Sequence, residues 1–547
     1  MSASSKKKLR KAQEAEKMTE KQLTEQKEAK KLKIYTTIFV VVLAVMVVAA
    51  VWIGVSTTIT GSGIRERNTA ALTVGEHELS NAELNYFYID AVNEFYSNYG
   101  SYASLFGLDV TLPLNEQVTN EETGATWADD FLTSAKENAK AVYALADEAA
   151  KQGYALTEED LASLDSEISN MELYALYYYG YSDFEDYLKA VYGNGSTEES
   201  FREYAELTAL ASSYQSYYAA SLTYDDAALR AAEEENYNAY SSFSYNSYYL
   251  NTSKFLEGGT TDEEGNTTYS DEEKEASVKA AEETAKALAE GEYESVADFD
   301  AAIAALSINA ETENAASTTY TDTAYASVNA VVRDWVSDSS RTEGEMTYIP
   351  STTTSTAEDG TETTTTNGYY VVYFVGSTDN NFPMSNVRHI LVAFEGGTTD
   401  ENGNTTYSDE EKAAAKTAAE EILAEWKAGE ATEESFAALA NEKSDDGDGT
   451  TGGLYENINP ASTYVTNFKN WALDEHKAGD TGIVESEYGY HVMYYAGDTE
   501  QTYRDYQITN ALVSEDTSEW YNALVEAVTV TELNTKYISK DLVLSNG

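Results

Sequence analysis

The sequence predicts an α+β protein: a membrane-spanning helix, then a helical domain, then two copies of a smaller unit in which an antiparallel sheet is flanked by helices. Three observations lead there. No charged residue occurs from Ile34 to Ile64. Between 80 and 240 the apolar residues recur at intervals of three and four, the period of a helix with one buried face. The segment EGGTTDEEGNTTYSDEEK at 257–274 returns at 395–412 as EGGTTDENGNTTYSDEEK, altered at a single position. A duplication of a whole unit explains that better than chance.

The chain begins with a basic segment, 1–33, holding eleven Lys/Arg against five Glu. Ile34 to Val55 follows as IYTTIFVVVLAVMVVAAVWIGV. At about 1.5 Å per residue this run spans roughly 33 Å, enough for a bilayer core. The expectation is an uncleaved single-pass helix at 34–58. Its basic flank places the N-terminus in the cytoplasm and the bulk of the chain outside the cell membrane. Of the total charge of −60, residues after 33 carry −66. Nucleic acid is therefore excluded as a partner of the bulk, since phosphate binding needs a basic footprint. The chain has no cysteine, which removes disulfides and thiol catalysis. Its 44 tyrosines suit wet, amphipathic surfaces better than a cofactor site.

Ala71 to Leu79 reads as a strand. Ser80 with Glu83 forms a capping box that opens a helix, Thr126 with Asp129 opens a second that ends at Gly153, and Thr157 caps a third. Helical text continues from Ser182 to about Asn236. The expected domain is 65–240, and nothing in it points to catalysis. Two sheet-and-helix units follow, at 241–378 and 383–500. Each has a first strand, the repeated segment, an Ala/Glu-rich helix, a Trp (Trp335, Trp471) and a closing strand of Gly and aromatics. In the first unit Ser351 to Thr366, STTTSTAEDGTETTTT, reads as a polar loop. The tail, 501–547, holds a helix near Trp520 and then AVTVTEL, a strand able to pair with 71–79.

The second unit holds the chemistry-bearing residues. NVRHILVAF, Asn386 to Phe394, is apolar on both faces of its alternation and reads as a central strand. His389 shares a face with Val387 and Leu391, and in EYGYHVMYYAG His491 shares a face with Met493 and Tyr495. Between them lie the loop SDDGDGTTGGL, Ser444 to Leu454, a segment with Phe468 and Trp471, and GDTGIV, Gly479 to Val484. DDGDG and DENGN lack the spaced carboxylates and bidentate Glu of a calcium loop, so no metal or other cofactor is expected. His77 and His476 read as surface residues.

This order of VRHILV, SDD…GG, F…W…GDTGIV and YGYHV resembles the parvulin (PpiC-type) peptidyl-prolyl isomerases from about Pro383 to Asp498. With the anchor and the helical domain, the whole chain resembles the membrane-anchored foldases of the PrsA/SurA kind. The resemblance implies a helical chaperone domain at 65–240, packed with 501–547, and an isomerase domain at 383–500. It implies catalytic roles for His389, His491, Asp446 and Ser486, and a proline cup lined by Phe468, Leu454 and Tyr464. The expected partners are unfolded or newly secreted polypeptides with X-Pro bonds, and the membrane through one N-terminal helix. A binding-only chaperone without isomerase activity is the alternative. Tyr464 stands where the family commonly has Met, and Tyr455 departs from its GG-x-LG turn. The stretch GGTTDENGNTTYSDEE is acidic where phosphate-specific members are basic. The first unit lacks histidine: Tyr370 replaces His491, Tyr249 to Asn251 falls where His389 is expected, and Val332 replaces Phe468. It reads as a degenerate copy.

Overall fold

The computed structural model describes residues 6–8, 61–262, 265–309, 315–356, 360–400, 403–447 and 449–544. The expected span at 34–58 lies outside them. No helix among the described residues is long and apolar enough to cross a membrane. The chain divides into two compact units, Met1–Leu222 with Glu515–Gly547, and Thr223–Ser514.

The first unit is helical, with helices Asn81–Tyr99, Trp127–Gln152, Glu158–Tyr177, Phe184–Tyr192 and Glu198–Ser221. The three expected capping boxes are in place, and Gly153 closes its helix in the left-handed conformation. Ala70–Val74 pairs with His77–Ser80 on one side and with Val530–Glu532 from the far end of the chain on the other, as the tail's apolar alternation predicts. Two buried asparagines on the first helix hold that tail by its backbone. Asn81 donates to Thr69 O and Asn534 O and accepts from Tyr537 N. Asn85 accepts from Ser539 N at 2.9 Å. Each amide satisfies main-chain groups that would otherwise be buried unpaired.

The second unit contains two four-stranded antiparallel sheets. The first is built from β1 (Ser242–Asn251), β2 (Thr318–Ala324), β3 (Met346–Thr356) and β4 (Glu362–Thr378), with helix α1 (Asp271–Ala289) after β1. The second comprises β5 (Pro383–Ala393), β6 (Leu454–Ile458), β7 (Thr481–Glu485) and β8 (Gly489–Thr502), with α2 (Asp409–Ala428), α3 (Glu433–Lys443) and α4 (Thr466–Leu473). The strand orders are β2-β1-β4-β3 and β6-β5-β8-β7, the same topology twice. Alternation along β5 and β8 gives the second sheet two buried faces. Ile390, Val492 and Tyr494 pack under α2 and α3, while Val387, Met493 and Tyr495 pack against Phe468 of α4.

The Thr-rich stretch is not a loop. Residues 351–356 pair with 362–368, from Ser351↔Gly368 to Thr356↔Glu362, as an extension of β3 and β4. The polar composition suggests a loop, but β-branched threonine favours the extended backbone, and a ribbon without an apolar face leaves no hydrophobic alternation to read.

Arg504, 1 % exposed, ties the segment before β1 to the link between β4 and β5. It pairs with Glu233 at 2.5 Å, donates to the carbonyls of Tyr237, Tyr240 and Asp379, and lies over the Tyr237 ring.

Candidate active site

The site starts from strand register. Among the β5–β8 partners, His389 faces Met493 and Leu391 faces His491. Directly opposed residues share a face, so the two histidines are diagonal neighbours on the side covered by α4. Their Nδ1 atoms are 3.0 Å apart and both rings are buried. From there a chain of contacts runs outward in both directions. His389 Nε2 lies 3.0 Å from Asp446 Oδ2, and His491 Nε2 lies 2.8 Å from Ser486 Oγ. The Tyr455 hydroxyl donates to the same Asp446 oxygen at 2.7 Å.

These contacts fix where the protons sit. Burial lowers the His491 pKa to about 4, helped by the adjacent imidazole and opposed by Asp446. Burial also lowers that of His389, against the pull of Asp446. Both rings are neutral at pH 7, with one N–H each. A carboxylate only accepts, so His389 carries its proton on Nε2 and accepts on Nδ1. His491 therefore donates from Nδ1, and its bare Nε2 accepts from Ser486. Every hydrogen bond from Ser486 to Asp446 points the same way. At the far end burial, then the bond to Asp446, pushes the Tyr455 phenol well above its ordinary value.

Local chemistry holds each member. Ser486 sits in a tight turn, with its N–H bonded to Gly489 O at 2.8 Å and Tyr488 N–H bonded to its Oγ. Gly453 has φ +65°, and a Cβ there would run into the His389 carbonyl oxygen. Only glycine lets the chain lie this close to β5, where Gly453 O accepts from His389 N at 2.9 Å. Asp446 follows α3, its backbone N–H bonded to Ser444 Oγ.

Above the histidines opens a cavity of about 560 Å³. Phe468 is its centre: its ring centroid lies 5.2 Å from His389, 5.5 Å from His491, 5.7 Å from Tyr455 and 5.6 Å from Tyr464. Thus the structure brings together His389, His491, Asp446, Ser486, Phe468 and Tyr464. Leu454 is the exception. It pairs with Arg388, on the sheet face turned away from the histidines, while its neighbour Tyr455 pairs with Val387 on the site face. A strand's period of two makes an assignment one residue off choose the wrong face. Tyr455 is one of the lining residues the sequence motifs did not point to; its signal is its place next to Leu454, on the opposite face of the strand. His476 is also not a plain surface residue. Its Nε2 donates to the Trp471 carbonyl at 2.8 Å, and its ring lies against the Trp471 ring.

Register also corrects the comparison with the first sheet. Tyr370 and His491 occupy the same place in GYYVVYFVG and GYHVMYYAG. Tyr370 pairs with Tyr249, and Val372 with Ser247. The place of His389 is therefore taken by Ser247, not by Tyr249 to Asn251. The gap to the repeated segment is longer in the first copy because Thr252–Phe255 adds a helical turn. Val332 packs with Tyr245 and Val372, as Phe468 does with Val387 and Met493.

Residues 389–497 match the family model described as rotamase, PPIC-type PPIASE domain. The chain thus carries a peptidyl-prolyl isomerase domain of that type. No curated protein matches the chain. Among solved structures it is similar to the peptidylprolyl isomerase (PrsA) from Bacillus anthracis, at 22 % identity over 27 % of this chain and 59 % of that one, with a TM-score of 0.17. For PrsA from Bacillus subtilis the values are 24 %, 26 %, 46 % and 0.17. For the PrsA peptidylprolyl isomerase from Bacillus cereus they are 22 %, 31 %, 58 % and 0.17. The chain spans about half the length of the PrsA structures it matches.

Proposed function

We propose that this chain is a peptidyl-prolyl cis-trans isomerase that acts on polypeptides with X-Pro bonds, through the domain holding His389 and His491. One observation carries the reading: a fully hydrogen-bonded His–His–Asp array forms the floor of an aromatic cavity of about 560 Å³. Rotation about an X-Pro bond makes and breaks no covalent bond, and its barrier of roughly 18–20 kcal/mol is the loss of amide resonance. The planar amide puts negative charge on the carbonyl oxygen, and the twisted amide withdraws it. A carboxylate held near that oxygen therefore disfavours the planar state more than the twisted one. Phe468 and Tyr464 would grip the proline ring and exclude water. Asp446 would supply the field. The neutral histidines, anchored by Ser486, would hold Asp446 and the floor in one geometry without adding a charge that cancels it.

The same reading extends to the rest of the chain. The apolar run at 34–58 and its basic flank support a membrane tether with 65–547 extracytoplasmic. Exposed Tyr177, Tyr178 and Tyr179 in the helical unit support a surface for unfolded clients, hence a chaperone role. Ser247, Tyr370 and Val332 support a degenerate isomerase domain at 241–378.

The test uses the full chain and a short Xaa-Pro peptide, following cis-trans exchange by NMR. The wild-type protein is expected to accelerate exchange, and His491→Ala to lower the rate about tenfold or more, in line with loss of a positioned polar group. A wild-type chain that binds the peptide and leaves its exchange rate at background would make this a binding-only chaperone.

A further inference from the structure

The cavity is longer than a proline ring needs. It continues from the histidines along β5 past Leu391 and Ala393 to a corner formed by Phe394, Tyr407, Tyr488 and Glu487. Ala393 stands four positions along the strand from His389, about 13 Å at the usual rise. Tyr407 is the single aromatic of the repeated segment and reaches the corner through its ring contact with Phe394, at 5.1 Å. Tyr488 is 59 % exposed and offers a free ring face. None of this serves the proline cup.

The charged side chains that line the cavity have one sign. The ionisable acids lining the cavity are Asp446 and Glu487, and no lysine or arginine lines it among the described residues. Asp446 is occupied by His389 and Tyr455, whereas Glu487 is exposed and has no ion-pair partner among the described residues. Lys412, beside the corner, has its charge matched by Glu485 at 3.7 Å. Its Nζ also lies 5.6 Å over the Phe394 ring, so an ammonium group already rests against this aromatic corner. Aromatic faces with one open carboxylate form an environment for an alkylammonium or guanidinium group.

We propose that Phe394, Tyr407, Tyr488 and Glu487 form a second subsite that takes a lysine or arginine side chain of the client, about three residues from its proline. This rests on the isomerase-domain reading, and it adds a substrate class: X-Pro segments with a basic residue at that spacing. Acidic or phosphorylated residues in the same place would meet Glu487 and Asp446 and be disfavoured.

The experiment is a set of proline peptides with Lys, Ala or Glu at the third residue to either side of the proline, titrated with the full chain. NMR of the peptide reads affinity and cis-trans exchange in the same sample. On one side of the proline, Lys is expected to bind about three- to tenfold more tightly than Ala, and Glu more weakly than Ala. The preference should shrink as salt rises. Glu487→Gln, at an exposed position, should bring the Lys peptide to the level that variant shows for the Ala peptide. Equal affinity for Lys, Ala and Glu overturns the proposal, as does a Lys preference that Glu487→Gln leaves intact, or no binding of any peptide. Lys-selective binding lost in Glu487→Gln, without accelerated exchange, upholds the subsite and sinks the isomerase reading instead. Accelerated exchange without charge preference does the reverse.

Discussion

The Tyr455 phenol ends a run of side chains that begins at Ser486 and passes both histidines, and its effect can be separated from that of its ring. Tyr455→Phe keeps the contacts with Phe468 and Tyr464 but leaves the Asp446 oxygen a single donor. The carboxylate then offsets charge on His389 more strongly, so the His389 pKa should rise toward the ordinary histidine value. NMR of the imidazole nitrogens reads this directly, and a merely structural role for Tyr455 would not move it. The isomerisation rate should rise several-fold at an unchanged KM, because the less compensated carboxylate disfavours the planar amide more strongly while the ring, not the hydroxyl, meets the proline. The depressed histidines also set a pH dependence of stability. Both have folded pKa values below the ordinary 6.5, with His491 near 4. Between those values the unfolded chain binds more protons than the folded one, so stability is complete above pH 6.5 and is lost as pH falls toward 4. A tenfold difference in proton affinity between the two states corresponds to about 1.4 kcal/mol. Melting of the wild-type chain against His491→Phe across this window should show the steeper loss in the wild type.

At the scale of elements, the register of β6 against β5 decides which side chains reach the site. Leu454 and Tyr455 are adjacent, yet they lie on opposite faces of the sheet, and only Tyr455 lines the cavity. Leu454→Ala should therefore lower stability and leave peptide affinity unchanged, the opposite of what a cup-lining residue would do. Gly453 is the fixed point of this register. Gly453→Ala forces a Cβ against the β5 backbone at a left-handed φ and should cost about 1–3 kcal/mol. Denaturant unfolding would measure that cost, and loss of isomerisation at temperatures where the variant stays folded would show β6 displaced. The Thr-rich ribbon is the opposite case: its pairing depends on backbone preference and a partner strand, not on an apolar face.

At the scale of the molecule, the first unit is built from both ends of the chain. Val530–Glu532 completes the sheet begun by Ala70–Val74, and the asparagines at 81 and 85 are satisfied by residues beyond 530. Contacts this distant in sequence form late, because the loop between them must close first. A chain ending at 514 should leave the sheet domains of Thr223–Ser514 protected from limited proteolysis and expose 61–222 to rapid cleavage. Equal protection of both would show that the tail is dispensable. Within Thr223–Ser514, Arg504 joins segments from residues 233 to 379. Arg504→Met removes the charge and leaves Glu233 and three carbonyls unmet in a buried place, where breaking such a pair costs about 3–5 kcal/mol.

Several features are set by local sequence alone: the capped helices of the first unit, the tail strand, the duplication, and the presence of both histidines on central strands. Capping boxes act within one turn, and a period of two or of three to four is visible over a dozen residues. The inward set of His389, His491, Asp446, Ser486, Phe468 and Tyr464 was legible because each carries a family-like motif around it. What tertiary structure alone decided depends on pairing across distance. The face of Leu454, the bond from Tyr455 to Asp446, the equivalence of Ser247 with His389, and the reach of Tyr407 into the cavity all come from how one strand meets another. A shift of one residue in that meeting reverses every side chain, and the sequence of a single strand does not record its partner's register.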